Sequence, residues 1–292
     1  MKKIILITVA VIASVSAIFM ILLFTGIIWR SPPRYTTSKT YTFRKPIMTM
    51  VEYGNLSNNH ERPYIYTLKK DQGTITIIGI EHTFDPHDPQ IDSIQKYWEI
   101  SKPTAALVEG RLGFLFQGIQ DPVAAHGEGG KLIRLAKKDG IPFYSWEPDR
   151  EQEVQALLKR YPAKQLALFY SLRPYFSGFR FGKPADPNGT MQKYIDERTA
   201  VKGLKGEILT VRQVDSIWQK DFPSREDWRN TSDEYGWPEG YLSDIFNASN
   251  LYRDQHLCSM IMELAEKGEH VIVTMGSSHA FRIRQTLESE MK

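Results

Sequence analysis

The chain has 292 residues, and its 37 basic against 34 acidic side chains leave a formal charge of only +3. That balance excludes the concentrated basic face by which proteins hold nucleic acid, so no nucleic-acid partner is expected. The one cysteine, Cys258, excludes an intramolecular disulfide and lies too far from the N-terminus to carry a lipid there.

Residues 4–29 run for 26 positions without a charge. As a helix they would measure roughly 39 Å, enough for a hydrocarbon core of about 30 Å. A cleaved signal peptide competes, because Lys2 and Lys3 make an n-region. A signal h-region is only about 7–15 residues, however, and cleavage at the small residues of 14–17 would leave IFMILLFTGIIW on the mature chain. An uncleaved transmembrane signal anchor over 1–30 is therefore expected. Arg30, Arg34, Lys39, Arg44 and Lys45 follow it, and the positive-inside bias alone would keep the domain cytoplasmic. The very short tail ahead of a single apolar segment points instead to an N-in anchor. The expectation is a single-pass membrane protein with its globular domain on the extracytoplasmic side.

Residues 31–60 are polar, with Pro32-Pro33 stiffening the exit, and read as a stalk. The domain proper spans 61–292. Residues 64–68 (YIYTL) and 74–80 form a hairpin turned at Asp71-Gln72-Gly73. After the Asp85–Pro89 loop, Ile91, Ile94, Tyr97 and Trp98 recur at helical spacing up to Lys102-Pro103. A strand at 104–108 ends in Glu109; a helix at 131–138 stops at Gly140; a strand at 141–146 ends in Glu147. Strands alternating with helices imply right-handed crossovers and a mainly parallel sheet. From 149 to 250 the pattern turns helical (151–160, 163–175, 191–201, 208–218) and reads as an insertion. A helix at 251–267, a strand at 270–275 and a helix at 280–290 return to the core. The expected fold is α/β, a mainly parallel sheet with flanking helices and a helical insertion, preceded by one transmembrane helix.

Two strands run directly into Gly-x-x-His: Gly79-Ile80-Glu81-His82 and Gly276-Ser277-Ser278-His279. Ligands of open parallel sheets bind outside the carboxyl ends of the strands, so His82, Glu109, Glu147 and His279 should project at one edge. Two histidines and a glutamate form the ligand set of many catalytic zinc sites, with a water in the open position. The same set suits metal-free hydrolysis, in which histidine deprotonates water and a carboxylate holds the imidazole tautomer. Each residue also has a structural reading. Arg111 is a ready ion-pair partner for Glu109, Glu147 before a proline suits a loop, and Glu81 on extended backbone points away from His82.

Arg253 heads an apolar stripe with Leu257, Met260 or Ile261, and Leu264. It either snorkels to solvent or balances oxyanion charge. Asp254 and His256 fall on other faces and read as surface. Cys258 reads as a small buried hydrophobe, and His87 as lining the entrance.

The run GTITIIGIEHTFDP, the VEGR after the next strand, the helix beginning YRDQHLCSMI and the closing VIVTMGSSH together resemble the TraB/Tiki family. That family sits in a wider superfamily with erythromycin esterase and the haem-binding ChaN-like proteins. The resemblance covers about 73–147 and 251–290 and leaves the helical middle unmatched. It implies an α/β fold with a site between the two histidine motifs, mapped onto His82, Glu109, Arg253 and His279. Ser277-Ser278 stand where alanine or glycine is commoner in the family. Tiki members are described as membrane-anchored, metal-dependent proteases, which implies a hydrolase acting on a peptide or small-molecule substrate. It would use a divalent metal ion (Mn, Co or Zn) on His82, Glu109 and His279. Other members bind peptide pheromones or haem, which leaves a non-catalytic binding protein as the alternative.

Overall fold

Runs of β-branched residues build the centre of the fold. The computed structural model describes residues 2–39, 41–56, 60–232 and 236–291. Among them a five-stranded sheet contains β2 (Tyr64–Lys70), β3 (Gly73–Ile80), β4 (Ala105–Val108), β6 (Phe143–Ser145) and β7 (His270–Gly276) in the spatial order β2-β3-β7-β4-β6. Only β2 is antiparallel, joined to β3 through Asp71 and Gln72, with Asp71 at φ 51°. β3, β7, β4 and β6 are mutually parallel. Their unbroken apolar runs suit a sheet covered on both faces: Ile75, Ile77, Ile78, Ile80, Val271, Ile272 and Val273 are almost wholly buried.

The helices start where short polar side chains can take up free backbone N–H groups. Asp88 caps α3 (Pro89–Ser101) and Asp121 caps α4 (Pro122–Asp139), each followed by proline in the first turn. Ile91, Ile94 and Trp98 of α3 pack with Leu132, Ile133 and Ala136 of α4 against Ile78, Ile80, Ala106, Val108 and Ile272 of the sheet. α10 (Ser277–Glu290) packs against β2, β3 and β7.

The chain divides into two compact units. The α/β unit comprises Met1–Met48, Glu52–Glu147 and His256–Lys292; the second comprises Thr49–Val51 and Pro148–Gln255. The second is helical, with α5 (Arg150–Leu157), α6 (Ala163–Gly178), α7 (Pro187–Arg198) and α8 (Val211–Asp221). α9 (Tyr241–Glu266) begins there and continues into the α/β unit, and the short α2 (Met50–Leu56) also falls at the division. The helical unit has its own core around Phe169, Tyr175, Phe176, Trp218, Trp228 and Trp237, with Phe176 and Trp237 ring centroids 4.7 Å apart.

The N-terminal segment departs from expectation in two ways. α1 (Lys2–Phe24) has the length and composition of a membrane span or signal sequence, and none of it is buried. It ends five residues short of Trp29, because Ile28 and Trp29 are buried as β1, paired antiparallel with β5 (Leu115–Phe116). The stretch read as a stalk does not stand off from the domain. Ser145 N–H donates to Pro33 O at 2.9 Å, and the Thr286 and Arg282 side chains donate to the carbonyls of Pro46 and Met48. The buried Glu263 carboxylate accepts from Tyr35 and from Ser38. Polar composition suggested solvation; the extended backbone instead finds its hydrogen-bond partners on the α/β unit. Thr40 and residues 57–59 of that stretch lie outside the described residues.

Candidate metal centre

Strand order assembles the site. β7 lies between β3 and β4, with Ile80 level with Gly276. His82 follows the end of β3 by two residues, and Glu109 directly follows β4. His279 is the third residue of α10, whose N-cap is Gly276.

Glu109 stands between the two imidazoles. Its Oε2 is 3.8 Å from His82 Nε2, and its Oε1 is 4.0 Å from His279 Nε2. The same Oε2 accepts the Gly276 N–H at 2.7 Å. A carboxylate at a helix N-cap meets unsatisfied amide dipoles that stabilise its charge. Gly276 leaves room here: a Cβ at this position would come within 3.0 Å of His82 Nε2 and push that ring aside by a few tenths of an ångström. Trp146 walls the far side, its ring edge-on to His279 at 5.5 Å and its indole N–H on Thr274 O.

A fourth residue joins them. His82 Nδ1 lies 2.6 Å from Glu128 Oε1. Glu128 is delivered by a kink inside α4, where Gly127 takes φ 61°, ψ −151°, in the left-handed half of backbone space. Side-chain exposure falls from 30% at His82 through 16% at Glu109 to 9% at Glu128 and 8% at His279. A ligand therefore meets the cluster from the His82 side.

His82, Glu109 and Glu128 each offer one ligand atom, all within 4.8 Å of one another, and this group can hold a metal ion. Two donors of one tetrahedral ion, each about 2.1 Å from it, stand about 3.4 Å apart. The 3.8 and 4.0 Å separations from Glu109 to His82 and to His279 run from different oxygens of its carboxylate, and His279 is not in the group of three, so a set of His82, Glu109 and His279 requires these side chains to shift toward a shared ion. The 2.6 Å between His82 and Glu128 is too short for two such ligands and right for a hydrogen bond. As arranged, Glu128 orients His82 by taking its Nδ1 side, which turns Nε2 toward Glu109.

Of the residues expected at the site, His82, Glu109 and His279 come together. Arg253 belongs to the helical unit, where it is buried and its Nη1 donates to Asn250 Oδ1 at 3.3 Å. Glu147 ends the α/β unit, its N–H on Ser145 Oγ. Glu81 is exposed and pairs with Arg62 at 3.0 Å, as its extended backbone implied. His87 is exposed, its backbone N–H on Asp85 Oδ1. Asp254 and His256 are not the surface residues expected: Asp254 is fully buried, and burial lowers the pKa of half-buried His256 while Glu147 opposes the shift. Cys258 is buried.

Sequence reasoning missed Glu128. The sequence places this helix only at 131–138, whereas α4 begins at Pro122. The signal was the Asp121-Pro122 start, the same cap-and-proline pattern correctly read at Asp88-Pro89. Comparison of the chain with protein-family models, curated proteins and solved structures found no match.

Proposed function

We propose that this protein is a membrane-anchored, metal-dependent hydrolase that cleaves a peptide or ester bond, with its α/β unit on the extracytoplasmic side. One observation carries the reading: a carboxylate held between two imidazole Nε2 atoms at a sheet edge, 3.8 and 4.0 Å away, with a second carboxylate behind the more exposed imidazole. Two histidines and a carboxylate are a donor set for Zn, Mn or Co, and the set leaves a position open. His82, Glu109 and His279 would hold the ion. When bound, it supplies Lewis-acid polarisation of a carbonyl and a more acidic water.

The chain's own groups do the rest. Glu128 keeps the His82 proton on Nδ1, so that Nε2 presents its lone pair to the site. Gly276, having no side chain, leaves room for that lone pair. The Gly276 N–H holds Glu109 in place. Burial of His279 under Trp146 keeps solvent from that side.

The His82–Glu128 contact also favours a second reading, metal-free catalysis in which the carboxylate-oriented imidazole deprotonates water. The full chain, purified in detergent and stripped with chelator, decides between them. Peptide and ester libraries are screened with and without Zn, Mn and Co, for wild type, His82→Ala and His279→Ala. Turnover restored only by metal, and lost in both variants, is the expected result. Turnover that survives chelation supports the metal-free reading. A folded wild type that binds metal, peptide or haem and turns over nothing would sink the catalytic proposal.

A further inference from the structure

Between β4 and α4 the chain passes through RLGFLFQGIQ, residues 111–120, and puts three large apolar side chains on the surface. Phe114, Phe116 and Ile119 are 60%, 40% and 84% exposed. Such a patch marks an interaction surface, and its position identifies the partner. β5 in this loop pairs with β1, which follows α1 within a few residues, and Gln117 N–H donates to Ile27 O at 2.8 Å. The loop is thus bonded to the segment by which the chain leaves the apolar helix. Phe114 goes further, its ring edge-on to Phe19 at 6.2 Å. Phe19 precedes the last residue of α1 by five positions, about 7.5 Å back along the helix axis. Phe24 and Ile27, also exposed, extend the apolar surface to the loop.

We infer that residues 111–120 form a second membrane contact, in which Phe114, Phe116 and Ile119 enter the leaflet from which α1 emerges. The inference rests on α1 being retained as an anchor and is independent of the catalytic reading. It has a consequence for the site. Glu109 precedes Phe114 by five residues, at most about 18 Å of extended chain. The metal centre therefore lies close to the bilayer surface and meets substrates presented there.

The test uses the full chain, one copy per lipid nanodisc, with an environment-sensitive fluorophore on a single introduced cysteine; native Cys258 is buried. The positions are Ile12→Cys in α1, Phe116→Cys and Ile119→Cys in the loop, and exposed Lys96→Cys as reference. Lipids carrying a nitroxide on the acyl chain are expected to quench the labels at 12, 116 and 119 several-fold more than the label at 96. Quenching at 12 with 116 and 119 matching 96 overturns the loop contact and leaves the anchor standing. Quenching at neither 12 nor 119 overturns both. Loop labels that stay unquenched in single-copy discs, yet transfer energy between copies crowded in vesicles, assign the patch to a second copy of the chain and overturn the membrane contact.

Discussion

Two clusters of buried charge, one in each unit, are built in opposite ways. In the helical unit, Glu153 accepts from Ser249 Oγ, Arg173 donates to Ser249 at 2.6 Å and to Asn250 at 3.3 Å, and Arg253 shares the Asn250 carbonyl. Carboxylate and guanidinium groups there are tied into one network, which buried ions need if they are not to cost more than they contribute. In the α/β unit, Glu109 and Glu128 face imidazoles instead, and the Gly276 N–H donates to Glu109. A carboxylate linked to arginine through a shared serine is committed to that network. One set beside histidines can still exchange a proton or hold a cation. The α/β unit also holds a structural carboxylate, the buried Glu263 bonded to Lys267, Tyr35 and Ser38, so the difference is between the two clusters and not between the units as wholes.

Substitutions at four positions sharpen that contrast. Glu109→Gln keeps an acceptor for the Gly276 N–H but removes the charge between the imidazoles. Hydrolysis is expected to fall at least about a thousandfold with the melting temperature nearly unchanged, measured as kcat/KM alongside thermal unfolding. Phe176→Ala empties the aromatic centre of the helical unit, and denaturant titration should show a loss of about 3–5 kcal/mol. Metal affinity of the protein that remains folded should be unaltered, since none of the proposed ligands lies in that unit. If affinity falls in step with stability, the two units do not divide the work as described.

Glu128→Gln should weaken metal affinity by about 10–100-fold, because an orienting carboxylate acts through the ligand it holds. Isothermal titration with Zn measures it, and Glu128→Asp should recover part of the loss. Unchanged affinity in Glu128→Gln would remove the positioning role. The smallest effect concerns Glu263. Burial pushes its carboxyl upward, but hydrogen bonds from Lys267, Ser38 and Tyr35 outweigh that and hold it down at about 2. Its folded pKa lies below the unfolded value, so its contribution is present at neutral pH and lost as pH falls from about 4.5 toward 2. Allowing for solvent screening around half-exposed Lys267, that is about 1–2 kcal/mol. Urea titrations of wild type and Glu263→Gln should converge across that pH range. Parallel curves would show that the 35–38 segment is held by other bonds.

Much of the architecture was legible in local pattern. Apolar runs bounded by glycine marked β3, β4 and β7, and Asp-Pro starts marked α3 and, for a reader who trusted them, α4. The helical stretches of 149–250 fell within a few residues of α5 to α8. Local pattern failed where partners are distant. The residues after Pro32 look solvated until Glu263, more than two hundred positions away, accepts their hydrogen bonds. Asp254 looks exposed on a helical wheel, yet it is buried.

By itself the sequence determined which residue types stand at strand ends, because strand, glycine and histidine are neighbours along the chain. It thereby placed His82, Glu109 and His279 at one edge of a parallel sheet. Only the tertiary structure decided how they meet. The order β3-β7-β4 sets Glu109 between the two histidines, and a left-handed glycine inside α4 swings Glu128 behind His82. Strand order and a helix kink depend on packing between segments far apart in the chain, and no window of local sequence records that packing.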